Sequence, residues 1–141
     1  MVAEAGSVYN PAARDRQEQN PFDGMQTQRT GRLGETLAAR YLQQRGYDIL
    51  ASNWRCPRGE LDIVARIGGK LVFLEVRTRR QSDTEEAFAS ITARKRERLL
   101  AAIHEWLEAN GQQDADWRVD VIGVALGART RIDHVEDALD W

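Results

Sequence analysis

The sequence predicts an α/β domain in which a mixed β-sheet is flanked by helices, with the element order α-β-β-β-α-β-β. Two amphipathic segments, each followed by a glycine, predict the helices. Two segments rich in β-branched and aromatic residues are separated by Gly68 and Gly69, which predicts a β-hairpin. A chain of 141 residues has the size of a single domain.

The N-terminal segment, residues 1–28, is predicted to be a flexible arm. It contains two of the three prolines and is otherwise rich in Asn, Gln, Asp and Arg, with no sustained hydrophobic period. The folded domain is therefore expected over residues 29–141.

Hydrophobic periodicity places the two helices. Thr30 can cap a first helix that runs to about residue 45, because Gly46 then supplies a left-handed stop. The face expected to pack inward comprises Leu33, Leu37, Ala38, Tyr41 and Leu42. A second helix is expected over residues 92–110, ending at Gly111. Its buried stripe is expected to comprise Leu99, Leu100, Ile103, Trp106 and Leu107.

Five strands are predicted by segments that alternate in polarity or are rich in β-branched and aromatic residues. Pro57 lies in the turn between the first two, and the glycine pair lies between the second and third. The expected strands cover residues 47–55, 60–66, 70–78, 117–126 and 132–135.

Composition excludes several classes of protein. The longest apolar runs are far shorter than the ~20 residues that span a bilayer, so no membrane segment is expected. The N-terminus does not resemble a secretory signal, and Cys56 is the single cysteine, so a cytoplasmic location is expected. The net charge of −2 conceals a basic middle: residues 53–98 hold 11 Arg or Lys against 7 Asp or Glu.

The hairpin register brings two acidic residues together. If the chain turns on Gly68 and Gly69, Asp62 lies opposite Glu75. Two carboxylates in that relation repel each other by up to ~1 kcal/mol unless a proton or cation lies between them. Oxygen ligands with room for water favour Mg²⁺ or Mn²⁺. Glu35 lies at the edge of the apolar face of the first helix, from which it could approach the same site.

The same register leaves a second interpretation open. Glu60 faces Arg77 on the side of the sheet that carries Asp62 and Glu75, so these acids could lie on a solvated face neutralised by Arg77 and Lys95. A solvated glutamate in the first helical turn is likewise the ordinary interpretation of an acid such as Glu35.

At these residues the chain resembles the YraN family, also known as UPF0102, from about residue 29 to the C-terminus. The matching runs are Gly34-Glu35, Gly46-Tyr47, Asn53-Trp54-Arg55, Gly59-Glu60-Leu61-Asp62-Ile63-Val64, Leu74-Glu75-Val76-Arg77-Thr78-Arg79 and Asp120-Val121-Ile122. The resemblance implies a restriction-endonuclease-like core similar to that of Holliday junction resolvases. In those proteins a strand Asp and an E-x-K motif hold a metal ion beside the scissile phosphate.

Carried onto this chain, the resemblance implies a metal-dependent nuclease that binds nucleic acid, with DNA, branched or otherwise, as the expected substrate. Asp62, Glu75 and Glu35 are then the ligands of Mg²⁺ or Mn²⁺. Arg77 occupies the position usually held by lysine. Arginine is a poor general base because its guanidinium stays protonated, although it can stabilise charge on a phosphate. These four residues form the expected catalytic set.

Basic residues near this site are expected to contact the nucleic-acid backbone. Arg79 and Arg80 leave the hairpin strand, and Arg94 and Lys95 lie in the first turn of the second helix. Two alternatives remain: a nucleic-acid-binding module that does no chemistry, favoured by Arg77, and a protein-interaction adaptor, favoured by the acidic C-terminal segment. The resemblance to resolvases also leaves a homodimer open.

Overall fold

A computed structural model describes residues 21–80 and 92–139 and has the predicted element order. The elements are helix α1 (Pro21–Gln44), strands β1 (Asp48–Cys56), β2 (Gly59–Ile67) and β3 (Lys70–Arg80), helix α2 (Ala93–Ala109), and strands β4 (Trp117–Leu126) and β5 (Arg131–Val135).

The strands form one mixed sheet in the order β1-β2-β3-β4-β5. β3 and β4 are parallel, whereas the other neighbouring pairs are antiparallel. Parallel neighbours need a crossover connection, and α2 lies in the one that joins β3 to β4. The mixed α/β architecture is therefore confirmed and is consistent with the expected restriction-endonuclease-like core.

The sheet carries an apolar core on each face. On one face α2 packs through Leu99, Ile103 and Trp106 against strand residues that include Phe73. On the other face α1 packs through Ala38 and Leu42 against residues such as Val72 and Ile122. Because both faces of the sheet are covered, β3 contains a continuous apolar run from Leu71 to Leu74.

The central hairpin has the predicted register. Gly68 and Gly69 form a two-residue turn with φ of 55° and 80°, which glycine adopts without steric cost. Val64 then pairs with Phe73, and Ile63 pairs with Leu74. This register fixes which residues of β2 and β3 meet at the far end of the hairpin.

The start of α1 differs from the prediction. The helix begins at Pro21, so residues 21–28, which were assigned to the flexible arm, belong to it, and Thr30 is not its cap. Proline suits the first helical turn, where its missing N–H would have no partner. Leu33 is 49 % exposed and does not pack inward as expected. Residues 1–20 of the predicted arm lie outside the described residues.

The ends of α2 follow local signals. The Thr92 side chain accepts a hydrogen bond from the Lys95 backbone N–H at 3.2 Å, which caps the helix. Gly111, with φ of 64°, follows its last turn. The predicted stripe is confirmed except that Leu100 is half-buried and Ala102 is buried in addition. Over the described residues, neither helix combines the length and hydropathy needed to cross a membrane.

Candidate functional site

The candidate site lies where the pairing of β2 with β3 ends. The ladder runs from Ile67 and Lys70 to Ile63 and Leu74. The next residue of β2 is Asp62, whose Oδ2 accepts a hydrogen bond from the Val76 backbone N–H at 2.8 Å. The Asp62 side chain thus joins the two strands where the backbone hydrogen bonds between them end.

The strand geometry changes at the same level. Leu61 and Val64 both pack in the α2-side core, although residues three apart in a regular strand face opposite sides of a sheet. Asn53 lies opposite Asp62 in the register of β1 and has a left-handed φ of 54°. The irregularity moves Asp62 out of the simple alternation on which the sequence prediction depended.

Three predicted acidic residues are buried together. Glu35, Asp62 and Glu75 have exposed fractions of 6 %, 2 % and 4 %. Burial raises the pKa of Asp62 well above its ordinary value, and the charges of Glu75 and Glu35 raise it further. The Val76 N–H bond acts in the opposite direction, and Glu60 adds a smaller upward effect. The interpretation of these acids as a solvated surface is therefore wrong.

Lys95 contacts this cluster directly. Its Nζ lies 2.6 Å from Glu75 Oε2, and the two side chains are 20 % and 5 % exposed. Arg77 lies two residues after Glu75 and is half-buried. The lysine nearest to Glu75 therefore comes from α2 and not from the strand position where the resemblance leads one to expect it.

The donor set fits a cation in part. Among the residues that the structure describes, Asp62 Oδ1 is buried and accepts no hydrogen bond. A buried carboxylate oxygen without a donor is costly, and a cation would satisfy it. Over residues 21–80 and 92–139, no three His, Cys, Asp or Glu side chains are grouped closely enough to hold a metal ion together. The assignment of Asp62, Glu75 and Glu35 as metal ligands stays a prediction.

Gly34 explains how Glu35 reaches the site. A Cβ at Gly34 would lie 2.8 Å from the Thr78 Cβ of β3, closer than such atoms approach. The glycine therefore lets α1 lie directly against β3 in the turn that carries Glu35. Thr78 itself is half-buried, and its hydroxyl oxygen is enclosed by this contact.

The predicted phosphate-binding residues divide by exposure. Arg80, the last residue of β3, and Arg94, in the first turn of α2, are exposed. Arg79 is only 5 % exposed, so its side chain is enclosed by the fold and does not lie at the surface where a contact with the nucleic-acid backbone was expected. Lys95 contacts Glu75, and its contact with nucleic acid stays a prediction.

A second polar cluster surrounds Asp120 in β4. Arg118 Nε and His134 Nε2 lie 3.0 and 2.8 Å from its two oxygens, and the Asp137 N–H donates at 2.9 Å. Burial raises the pKa of Asp120, but these hydrogen bonds outweigh it and hold the pKa below its ordinary value. Asp120 is therefore a partnered structural acid.

The sequence prediction missed two contributors to the site. Asn53 was noted only within a motif, although asparagine is among the few residues that adopt a left-handed φ. Lys95 was assigned to the nucleic-acid surface, and its pairing with Glu75 was considered only in the alternative of a solvated face. Lys95 is one of only two lysines among the 20 basic residues, and that rarity was the available signal.

The chain is similar in sequence to proteins of one family. A model for a family described as "Uncharacterised protein family UPF0102" matches residues 34–124, which include Glu35, Asp62 and Glu75. A UPF0102 protein of Roseiflexus castenholzii is 47 % identical over 116 residues, covering 79 % of this chain and 94 % of that protein. UPF0102 proteins of Chloroflexus aurantiacus and Pseudomonas fluorescens are 46 % and 39 % identical, covering 76 % and 81 % of this chain and 89 % and 95 % of their own lengths.

Proposed function

This chain belongs to the UPF0102 family, and we propose that it is a metal-dependent nuclease that binds DNA and hydrolyses phosphodiester bonds at Asp62 and Glu75. The observation that carries the proposal is the buried pair of carboxylates at the end of the β2–β3 ladder. One oxygen of Asp62 has no hydrogen-bond donor among the described residues. Buried acids with perturbed pKa values are concentrated at functional sites.

Mg²⁺ or Mn²⁺ is the proposed cofactor. The donors available are carboxylate oxygens, which these hard cations prefer. Asp62 and Glu75 would hold the cation, with Glu35 acting from α1 directly or through water. When bound, the cation would supply positive charge against the phosphate and would activate the attacking water.

The side chains of the protein have separate roles in this proposal. The Val76 N–H binds one oxygen of Asp62, and this hydrogen bond orients the carboxylate and its second oxygen. Arg77 would contact the scissile phosphate and stabilise the charge that develops on it. Exposed Arg80 and Arg94 would bind flanking phosphates, each contact releasing counterions.

Cleavage assays test this function. End-labelled branched, duplex and single-stranded DNA would be incubated with Mn²⁺ and with wild-type protein, Glu75→Gln or Glu108→Gln, purified identically. Glu108 is an exposed acid on α2 and serves as the matched control. We expect cleavage by the wild type and Glu108→Gln and a loss of cleavage in Glu75→Gln with DNA affinity retained. Equal cleavage by all three proteins would indicate a contaminant and refute the proposal.

A binding module without chemistry is the second candidate. It is favoured by Arg77 at the usual lysine position and by the Lys95 ammonium that already neutralises Glu75. This candidate predicts DNA binding with no cleavage of any substrate by the wild type. The same assays therefore separate it from the nuclease.

Two further proposals accompany the nuclease. A symmetric homodimer would present two sites to two strands, and light scattering of the purified protein would measure its mass in solution. A cytoplasmic location would give the protein access to a DNA substrate, and fractionation of cells would test it.

A further inference from the structure

We infer that Lys95 is an internal counter-ion that competes with the divalent cation for Glu75. This inference rests on the proposed metal site and assigns Lys95 a role that differs from binding DNA at the surface. Its ammonium lies 2.6 Å from Glu75 Oε2, on a carboxylate that is only 5 % exposed. A buried charge needs such a partner, and Lys95 supplies it from α2.

The local structure holds Lys95 in this position. Lys95 lies in the first turn of α2, whose start is fixed by the cap between Thr92 and the Lys95 N–H. One turn further on, Leu99 anchors the helix in the core beneath. The backbone of Lys95 is therefore held in place, whereas its four-carbon side chain remains able to move its charge by several ångströms.

Electrostatics make the ammonium and a divalent cation alternatives at this carboxylate. A cation coordinated by Glu75 would lie close to Nζ, and like charges at that separation in a buried site repel strongly. Lys95 must therefore release Glu75 when the cation binds. The ammonium, still held near the site by α2, is then available to contact a phosphate oxygen of the substrate.

Calorimetric titration with Mn²⁺ tests this competition without any activity assay. The proteins are wild type, Lys95→Met, Lys95→Arg and Lys70→Met. Lys70 is the only other lysine of the chain and forms its ion pair with Asp116 at the start of β3, so it is the matched control. Lys95→Arg keeps the charge beside Glu75 and guards against a loss of folding in Lys95→Met.

We expect Lys95→Met to bind Mn²⁺ about tenfold more tightly than the wild type, or tighter still. Lys70→Met should match the wild type, and Lys95→Arg should bind no more tightly than the wild type. Tight binding by Lys95→Met alone would support the inference most directly. Equal affinities of wild type and Lys95→Met would overturn the inference but leave the metal site standing. No Mn²⁺ binding by any of the four proteins would overturn both the inference and the proposed metal nuclease.

Discussion

Asp62 is the residue on which the candidate site depends most. One oxygen is held by the Val76 N–H, and the other accepts no hydrogen bond from the described residues. Its neighbours Glu75 and Glu35 add negative charge to a carboxyl that is already deprived of water. Such an arrangement lowers the stability of the fold, which is the expected cost of a functional site.

Replacing Asp62 by asparagine should therefore stabilise the protein when divalent cations are absent. Asparagine keeps an oxygen for the Val76 N–H and brings an amide donor toward Glu75 in place of a like charge. We expect the free energy of unfolding at neutral pH to rise by about 1 kcal/mol in urea titrations with EDTA. A decrease of that size would show that the Asp62 charge is stabilising and would contradict this account of the site.

Asp120 provides the opposite case, because its hydrogen bonds hold its pKa below the ordinary value of 3.8. A carboxyl that is harder to protonate in the folded state contributes stability above its unfolded pKa and loses that contribution as the pH falls through its folded pKa. Asp120→Asn should cost about 3 kcal/mol at neutral pH. Its unfolding free energy should also fall less steeply than that of the wild type between about pH 5 and 2. Parallel pH profiles for the two proteins would exclude this role.

At the scale of elements, local signals fixed most boundaries. Glycines predicted the hairpin turn and the two helix ends, and alternation predicted β4, because each of these signals acts within a few residues of chain. The irregular geometry beside Asp62, where Asn53 of β1 has a left-handed φ and Leu61 and Val64 of β2 lie on one face, was not predictable in this way. It requires two strands to depart from regular geometry at the same level, which only their pairing defines.

Gly34 allows a prediction about how α1 meets the sheet. Gly34→Ala would place a Cβ against Thr78, although alanine is favoured over glycine in an exposed helix by about 1 kcal/mol. We expect a destabilisation of about 1–3 kcal/mol, because the helix must move away from β3. Thr36→Ala, on an exposed position of the same helix, should change the stability by less than about 1 kcal/mol. A stabilised Gly34→Ala protein would refute the close contact.

At the scale of the whole molecule, charge is distributed unevenly around the fold. Residues 53–98 carry an excess of basic side chains, whereas residues 114–141 hold 7 Asp or Glu against 3 Arg or Lys. The exposed Arg80 and Arg94 belong to the basic part. Nucleic acid is therefore expected to approach the face that carries the end of β3 and the start of α2.

This orientation predicts the salt dependence of DNA binding. Arg80→Ala and Arg94→Ala should each weaken binding and reduce the slope of log K against log salt concentration by about 1. Arg131→Ala, at an exposed position of β5, should leave the slope unchanged. Fluorescence anisotropy over a series of salt concentrations measures these slopes. If the slopes of all three variants equalled that of the wild type, the DNA would bind elsewhere on the molecule.

The sequence predicted the element order and the hairpin register as far as Ile63 and Leu74, since patterns with a fixed period determine both. It did not predict that the ladder ends there, before Asp62 and Glu75. It gave the pairing of Lys95 with Glu75 only as part of a solvated face, because neither segment alone shows that a contact between a helix and a strand of another layer is buried. It also placed Arg79 at the surface, since alternation along a strand does not reveal what covers it.

The most direct test of the central claim compares two buried aspartates, Asp62 as the site residue and Asp120 as the control. Single-turnover cleavage of end-labelled branched DNA in Mn²⁺ would be measured for wild type, Asp62→Asn and Asp120→Asn, at a temperature where all three are folded. The account predicts that Asp62→Asn loses about a thousandfold or more in rate and that Asp120→Asn keeps a rate near that of the wild type. Cleavage by Asp62→Asn at the wild-type rate, or no cleavage by the wild type, would contradict it.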